Sequence, residues 1–452
     1  MQVTETVAQG LKRELKVVVG KDELAQKFNT RLESFKSEVQ LKGFRKGKVP
    51  TAHIKKLYGR SLMGEVLQET LDETSRKAIS DRNERPAMQP KVDIPEDQNA
   101  IAAVIDGKDD LAYTMSFEVL PDIKLGDLST LKLERETAKV DAADVDRGVE
   151  EIVTRATQHE DEEGRAAADG DRVTIDFVGR IDGVEFAGGK GEAMPVVLGR
   201  GGFIPGFEEG LIGAKAGETR TIKATFPEGY PEASLAGKTA EFETTVKAVG
   251  KPVKPAVDDE FAKSLGVESV AKLREAIEAQ ISAQYAQLSR LKLKRQILDQ
   301  LDATHSFELP QSLVDNEFEG IWQQANAQLA QAGKTFADEG KTEEGAREEY
   351  RKIAERRVRL GLVIGEIGDK QKIQVTQDEL RGALIEEARR YPGQEKFVYE
   401  YYQKNPQALT GLRAPIFEEK VVDYIVDLVK PAEKTVSREE LLKAGQEGED
   451  PV

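Results

Sequence analysis

The hydrophobic pattern of this chain changes at Pro252 and Pro255, and the change limits the folds that are open to it. Before this point, from about residue 171 to 250, short β-forming runs alternate with glycine-containing turns roughly every 8–12 residues. After it, apolar residues recur at the three- and four-residue spacing of amphipathic helices. The pattern predicts a small antiparallel β half-barrel followed by an all-α region.

The first 115 residues have a mixed pattern that predicts a compact α+β domain. Leu24, Phe28 and Leu32 follow one another at four-residue spacing, as on one face of a helix. The predicted elements are strands within residues 1–20, helices over 21–40 and 51–80, and strands near 88–95 and 111–119.

The later part of the chain is dominated by helical patterns, of which the first covers residues 269–302. A helix of about 30 residues within this segment is about 45 Å long at roughly 1.5 Å per residue, which favours an elongated all-α domain. Shorter helices are predicted at 142–157, 309–332, 344–368, 376–390, 394–403 and 412–430. The chain as a whole is a multidomain α+β protein, with predicted segments 1–115 (α+β domain), 116–150 (extended linker), 151–251 (β-rich domain), 252–430 (helical domain) and 431–452 (disordered tail).

Composition excludes several function classes. The chain has 452 residues, no cysteine and a formal net charge of −16 at pH 7. Disulfides and thiolate nucleophiles are therefore excluded, and nucleic acid is not expected to bind the surface as a whole. His53, His159 and His305 have no ligand-like spacing, so we expect no metal site and no cofactor. No signal-peptide or membrane-spanning pattern occurs, which favours a cytoplasmic location without a membrane partner.

Positive charge is concentrated between Glu38 and Glu65, where no acidic residue occurs. The basic residues of this stretch are Lys42, Arg45, Lys46, Lys48, Lys55, Lys56 and Arg60. Phe44 places an apolar side chain among the charges, and such a loop suits a phosphate-rich surface. On charge alone, a solvated basic loop explains the pattern equally well.

The contiguous residues GFRKGKVP at 43–50 resemble the ribosome-docking signature of the trigger factor family, the bacterial chaperones of the ribosomal exit tunnel. The resemblance extends over nearly the whole chain, as a docking domain, an isomerase domain and a helical domain. It implies that this loop binds the large ribosomal subunit, at a ribosomal protein and nearby RNA. The implied binding residues are Gly43, Phe44, Arg45, Lys46, Gly47 and Lys48.

The central run, and FIPGFEEGLIGAKAGE most specifically, resembles FKBP-type peptidyl-prolyl isomerases, which have a β half-barrel with a short helix. The resemblance implies a proline pocket with the catalytic residues Phe177, Phe186, Phe203, Ile204, Phe207, Tyr230 and Phe242. Any one of these rings is more simply a core residue, but the set within this glycine framework favours the pocket. Ala187, Met194 and Phe207 depart from the usual pattern, which argues against tight binding of the family's macrolide inhibitors.

The residue types suit the chemistry of this reaction. Rotation about a peptide bond faces a barrier of about 18–20 kcal/mol because it destroys amide resonance, and it requires no proton transfer. A dry aromatic cup can favour the twisted amide, so the lack of a catalytic His, Cys or metal is no objection. The Tyr230 hydroxyl can donate to a peptide carbonyl.

In the helical domain most apolar positions are expected to be core. The trigger factor resemblance nevertheless implies a cradle with two arms that holds unfolded chains. Candidate contact residues are Phe318, Ile321, Trp322, Phe397, Tyr401, Tyr402 and Ile416.

Together these features predict a ribosome-associated chaperone that holds nascent polypeptides and isomerises X-Pro bonds. A homodimer off the ribosome is compatible with the resemblance. Two alternatives stay open at this point. One is a free-standing prolyl isomerase with dedicated partner-binding arms, and the other is a non-enzymatic assembly scaffold.

Overall fold

The structure is a computed structural model that describes residues 1–41, 44, 48–95, 98–230, 232 and 234–446. Its mixed α+β architecture, with an antiparallel half-barrel in the middle and helices after it, confirms the predicted fold class.

The N-terminal region combines one antiparallel sheet with helices. Its elements are β1 (Gln2–Gln9), β2 (Lys12–Val19), α1 (Lys21–Glu38), α2 (Thr51–Ser80), β3 (Lys91–Asp93), α3 (Gln98–Ile105) and β4 (Leu111–Glu118). The strands pair in the order β1-β2-β4-β3. Alternation in β2 and β4 buries Leu15, Val17, Tyr113 and Met115 on one face, because successive side chains of a strand point to opposite sides. Helix α3 was not predicted, since two turns are too short for a periodic signal.

The central region contains the predicted half-barrel and its short helix. Its elements are β5 (Glu134–Thr137), α4 (Ala142–Ala156), β6 (Gln158–Asp161), β7 (Arg172–Ile181), β8 (Val184–Val197), α5 (Phe207–Leu211), β9 (Thr219–Thr225) and β10 (Thr239–Val253). The sheet order is β6-β10-β7-β8, and β9 also pairs with β10. Residues 116–150 are not simply an extended linker, because β4 continues to Glu118 and α4 begins at Ala142.

Helices follow almost to the end of the described chain. They are α6 (Asp259–Ser264), α7 (Val270–Thr304), α8 (Gln311–Gln331), α9 (Glu343–Gln371), α10 (Gln377–Arg389), α11 (Glu395–Lys404) and α12 (Pro406–Val429), followed by β11 (Ala432–Thr435) and α13 (Arg438–Gln446). Helix α12 begins six residues before the predicted 412, because Pro406 occupies the first helical position, where its missing N–H costs nothing.

The prediction of a disordered tail from residue 431 is wrong as far as residue 446. Strand β11 pairs with β5, Leu441 is fully buried, and Arg438 Nε lies 3.4 Å from the Asp144 carboxylate. The polar composition of the tail gave no sign of these partners, which lie far away in the sequence.

The described chain divides into two compact units. Of the described residues, one unit contains those within 1–134 and 293–432, and the other contains those within 135–292 and 433–446. The boundary lies within α7. The first half of α7 contributes Leu273 and Ile277 to a core with α4, and its second half contributes to a core with α9 and α12.

Candidate isomerase pocket and basic loop

The half-barrel contains an aromatic cavity of about 420 Å³. All seven residues predicted for the proline pocket line it, namely Phe177, Phe186, Phe203, Ile204, Phe207, Tyr230 and Phe242. Sequence reasoning missed Phe226 and Pro227, which also line it. They follow directly on β9 in the segment ATFPEGY, so the proline that ends the strand was a usable signal.

The pairing register of the sheet positions the rings of Phe177 and Phe242. Phe177 on β7 lies opposite Gly191 on β8, and Phe242 on β10 lies opposite Gly179 on β7. A Cβ at Gly191 would lie 2.5 Å from the Phe177 ring, and one at Gly179 would lie 2.7 Å from the Phe242 ring. Because cross-strand Cβ atoms are only about 4.5–5.5 Å apart, the glycines provide the room that lets each ring lie over the neighbouring strand.

Helix α5 brings Phe207 to the floor of the cavity, where it is 1% exposed. Gly206 precedes it at φ +91°, in the left-handed region that favours glycine. Phe207 stacks on Phe203 at a centroid distance of 5.0 Å and meets Phe242 edge-on at 5.1 Å. Edge-to-face and offset contacts of this kind are the favoured arrangements of aromatic rings, so they stabilise the floor of the cavity.

A buried carboxylate shapes the loop that carries Phe203. Glu208 is 7% exposed and accepts hydrogen bonds from the backbone N–H groups of Gly199 (2.8 Å), Phe203 (3.1 Å) and Gly201 (3.2 Å). Three donors satisfy a charge that would otherwise be costly to bury. Sequence reasoning assigned no role to Glu208, because its partners are backbone groups that leave no pattern of side chains.

The cavity wall is uncharged. None of the described residues that line it carries an acidic or basic side chain, and Tyr230 is the polar exception with its hydroxyl. Ala187 and Met194, two of the departures from the usual isomerase pattern, are exposed and do not line it. The arrangement can therefore desolvate and orient an amide but offers no acid–base pair.

Charged groups instead hold the framework of the domain. Asp171 is 1% exposed, and burial, the largest influence, raises its pKa. The hydrogen bonds from Arg165 and the Ala168 amide outweigh burial and leave that pKa below its ordinary value. The Ala193 amide, followed by Lys247, lowers the pKa of Asp176 and ties β8 to β7.

The described part of the basic loop exposes its docking candidates. Phe44 is 40% exposed and its ring centroid lies 5.5 Å from that of His53, and Lys48 is also exposed. Val49 is buried and anchors the end of the loop beside Phe28 and Ile54. The remaining candidates, Gly43, Arg45, Lys46 and Gly47, lie outside the described residues.

The structure separates the candidates for holding unfolded chains. Phe318 and Ile321 are buried in a core with Val314 and Ala354, so their prediction as contact residues is wrong. Phe397 and Tyr401 on α11 are 69% and 49% exposed. The half-buried candidates are Trp322, Tyr402 and Ile416.

The described residues contain neither a cluster of possible metal ligands nor a helix suited to crossing a membrane. No group of three or more His, Asp or Glu side chains there could hold a metal ion. Over the same residues, no helix combines the length and apolar character that crossing a membrane requires.

Three family models match the chain. The models described as bacterial trigger factor protein and its C-terminus match residues 1–152 and 269–427, and one for FKBP-type peptidyl-prolyl cis-trans isomerases matches 163–247. The trigger factor of Rhodopseudomonas palustris is 52% identical over 444 residues, which is 98% of both chains. The chain belongs to the trigger factor family. The trigger factors of Azorhizobium caulinodans (52% identity, 99% of both chains) and Brucella abortus (50% identity, 98% of this chain and 93% of that one) are similar over the same extent.

A solved structure of the trigger factor chaperone has the same fold, with a TM-score of 0.54 over 95% of this chain and 100% of that one at 21% identity. This member of the trigger factor family is thus a ribosome-associated chaperone with an FKBP-type peptidyl-prolyl isomerase domain. It binds ribosomes and nascent chains, as the family does.

Proposed function

We propose that the aromatic cavity is the site at which this chaperone isomerises X-Pro bonds, with the seven predicted residues as its catalytic lining. One observation carries the proposal. Rings from β7, β8, β10, α5 and the adjoining loops line a single uncharged cavity of about 420 Å³, a size that suits a proline ring and its flanking peptide bonds.

The catalysis follows from differential solvation. A planar amide is strongly polarised by resonance and is well solvated by water, whereas the twisted amide has lost resonance and needs that solvation less. Transfer into a wall of phenyl rings therefore costs the ground state more than the transition state. The Tyr230 hydroxyl holds a neighbouring peptide carbonyl while the bond rotates.

Refolding of a substrate whose slow phase is proline isomerisation tests the proposal. Phe207→Ala is expected to abolish the acceleration, but this ring is fully buried and its loss also destabilises the domain by about 3–5 kcal/mol. Phe203→Ala and Tyr230→Phe act at half-buried positions and should lower the rate enhancement about tenfold without unfolding. Val184→Ala, at a 70% exposed position outside the cavity, is the control. Full activity in both half-buried variants would remove the cavity as the site.

We propose that the ribosome is docked by Phe44, Arg45 and Lys46, with Gly43, Gly47 and Lys48 shaping and extending the tip. The support is the exposed Phe44 ring and the absence of acidic residues between Glu38 and Glu65. Replacement of all three tip residues by alanine should prevent co-sedimentation with large subunits. The matched control replaces Val7, Lys12 and Lys16, one exposed apolar and two exposed basic residues of the same domain. Equal co-sedimentation of the two variants would disprove the docking assignment.

Exposed aromatic side chains on and beside α11 are the proposed client contacts. Phe397, Tyr401 and Tyr391 are 69%, 49% and 49% exposed, and a group of exposed apolar side chains marks a protein interaction site. Phe397→Ser with Tyr401→Ser should weaken suppression of the aggregation of an unfolded protein several-fold, and isomerisation of a short peptide should not change. Unaltered suppression would assign client holding to other residues.

A cytoplasmic location and a homodimer off the ribosome complete the proposal. The sequence contains no cysteine, which suits a reducing cytoplasm. Sedimentation equilibrium over a hundredfold range of concentration tests the dimer, and a constant monomer mass would exclude it.

A further inference from the structure

A second cavity lies in the N-terminal domain, apart from the described part of the docking loop. It has a volume of about 400 Å³ and is bounded by α1, α2 and the turn that follows α3. Its wall includes Phe28, Lys55, Gly59, Arg60, Met63 and Lys108. Nothing in the isomerase or docking proposals uses this cavity.

Its rim carries positive charge that the protein does not neutralise. Lys108 Nζ lies 3.0 Å from Asp106, and this hydrogen bond, with a smaller influence of Arg60, lowers the pKa of Asp106. That pair accounts for one cation and the one carboxylate among the wall residues. Within the described chain, no carboxylate lies at ion-pair distance from Lys55, whose partner is the Phe28 ring, and Arg60 has only a longer-range attraction to Asp106. Two cations are thus left for a ligand, in a chain whose net charge is −16.

Beneath the rim the floor is apolar. Phe28 and Met63 are both 5% exposed and form the base of the cavity, with Lys55 Nζ 5.6 Å from the centroid of the Phe28 ring. Gly59 leaves the α2 wall bare, since a Cβ there would meet only the Lys55 side chain, at an ordinary 3.5 Å. The cavity therefore has an apolar base, formed by Phe28 and Met63, directly beside two cations. Asn29 at its edge adds an amide that can donate and accept hydrogen bonds.

This combination selects a ligand with a flat ring and a nearby anion. An acidic peptide would use the cations but not the apolar floor, and an apolar peptide would leave the cations unpaired. A nucleotide uses both, because its base has an apolar face and its phosphate is anionic. Proteins recognise single-stranded RNA in this way, through bases that are turned out of the stack.

We propose that the cavity seats one nucleotide of a single-stranded RNA segment, with its nucleobase against the apolar base of the cavity at Met63 and Phe28 and its phosphate between Lys55 and Arg60. Lys55 and Arg60 belong to the same acid-free stretch as the docking loop. The identification of this RNA as ribosomal RNA rests on the proposed ribosome docking. Binding of an isolated RNA is measured without ribosomes, so failure of the cavity and failure of the docking loop are distinguishable.

The test measures fluorescence anisotropy of a 5′-fluorescein single-stranded RNA 12-mer titrated with the full chain. Lys55→Gln with Arg60→Gln removes both free cations, and Lys16→Gln with Lys21→Gln makes the same charge change at exposed positions of the same domain. The first pair should weaken binding at least tenfold at low salt, and the control pair less than twofold. Loss of two phosphate contacts should also make the dependence of log K on log[salt] shallower by about 1.4. Equal effects of the two pairs would overturn the proposal.

A variant that fills the cavity distinguishes binding of a base inside it from electrostatic attraction alone. Gly59→Leu keeps every cation, favours the helix and fills the wall, so it should weaken RNA binding by roughly tenfold, as expected when one stacked base is lost. Binding equal to that of the unaltered chain would show that no base is seated. Replacement of Phe44, Arg45 and Lys46 by alanine should leave most of the binding, and complete loss would assign it to the docking loop.

Competitors decide the ligand class. An oligoglutamate of equal charge should displace the RNA at least tenfold less well than unlabelled RNA, and AMP should do so only at a far higher concentration. If oligoglutamate displaced the labelled RNA at the same concentration as unlabelled RNA does, the site would be one for acidic peptides. Displacement by AMP at that concentration would make it one for free nucleotides. Either result overturns the RNA assignment.

Discussion

The aromatic cavity of the half-barrel and the basic cavity of the N-terminal domain have nearly the same volume, about 420 and 400 Å³. Their walls differ in kind. The first is lined by rings and an aliphatic side chain without a charge, whereas the second places three cations and one carboxylate around an apolar floor. A ligand of the first is held by desolvation and shape, and a ligand of the second also by charge that salt can screen. The two regions should therefore respond to different perturbations.

Salt should give the largest contrast. If four cations of the N-terminal domain contact phosphates, ribosome affinity should fall about a hundredfold between 50 and 200 mM salt, because counterion release is lost. Isomerisation of a short uncharged X-Pro peptide should change less than twofold. Co-sedimentation and a peptide isomerisation assay in the same buffers measure both, and parallel losses would remove the distinction between the regions.

Overpacking should affect only the aromatic cavity. Gly191→Ala places a Cβ 2.5 Å from the Phe177 ring, so we expect a loss of about 1–3 kcal/mol in stability and a tenfold to hundredfold lower kcat/KM for peptide isomerisation. Gly229→Ala is the control, because a Cβ there meets nothing within 4 Å. Ribosome binding should stay unchanged in both variants. Equal kcat/KM values would mean that the opposed glycine does not position the ring.

The buried Glu208 should have a smaller effect. Glu208→Gln keeps the size of the side chain but removes the charge that three backbone N–H groups solvate, which costs about 1–3 kcal/mol of stability. The loop that carries Phe203 should loosen, so KM should rise about three- to tenfold with a smaller change in kcat. Glu243→Gln, at an exposed position on β10, is the control. A change in kcat alone would argue against a positioning role.

The smallest effect should come from an exposed carboxylate, where water screens the charge. Lys420, followed by Thr376, lowers the pKa of Glu379 to about 2 from 4.5. Glu379 is therefore stabilising when ionised. Its contribution is complete above about pH 4.5 and is lost as the pH falls towards 2.

The urea midpoints of the unaltered chain and Glu379→Gln should differ slightly at pH 7 and converge as the pH falls through this window. Circular dichroism at 222 nm measures them, because Glu379 caps α10 and contacts α12 through Lys420. Asp378→Asn, which removes a carboxylate at the neighbouring exposed position, is the control for the change of charge. A gap between the Glu379→Gln and unaltered midpoints that does not change with pH would contradict the assignment.

Long amphipathic elements could be predicted from the sequence almost to their ends. Helix α2 matches its predicted bounds, and α7 and α9 differ from theirs by no more than three residues. Short or polar elements could not. Helix α3 and the tail elements β11 and α13 are too short for a period to be visible, and they depend on partners such as β5 and Asp144.

The candidate site also has features that could be predicted from the sequence and features that could not. The type and spacing of the aromatic and glycine residues carried the family resemblance, and the seven rings and side chains named from it do line one cavity. Exposure was not predictable, since Phe318 and Phe397 both lie on helices and only the second is left uncovered. Phe226, Pro227 and Glu208 were missed because their roles rest on register and on backbone partners.

By itself, the sequence determined the order of the elements, the uncharged chemistry of the isomerase region and the concentration of charge near the N-terminus. These are local properties, set by the period of the apolar residues and by composition. Only the tertiary structure decided which glycine opposes which ring, that Glu208 is buried under three N–H groups, and that Lys55, Arg60 and Lys108 meet over an apolar floor. The reason is physical. A periodic pattern shows that an element has a face to bury, whereas the partner of that face is selected by contacts between residues far apart in the chain.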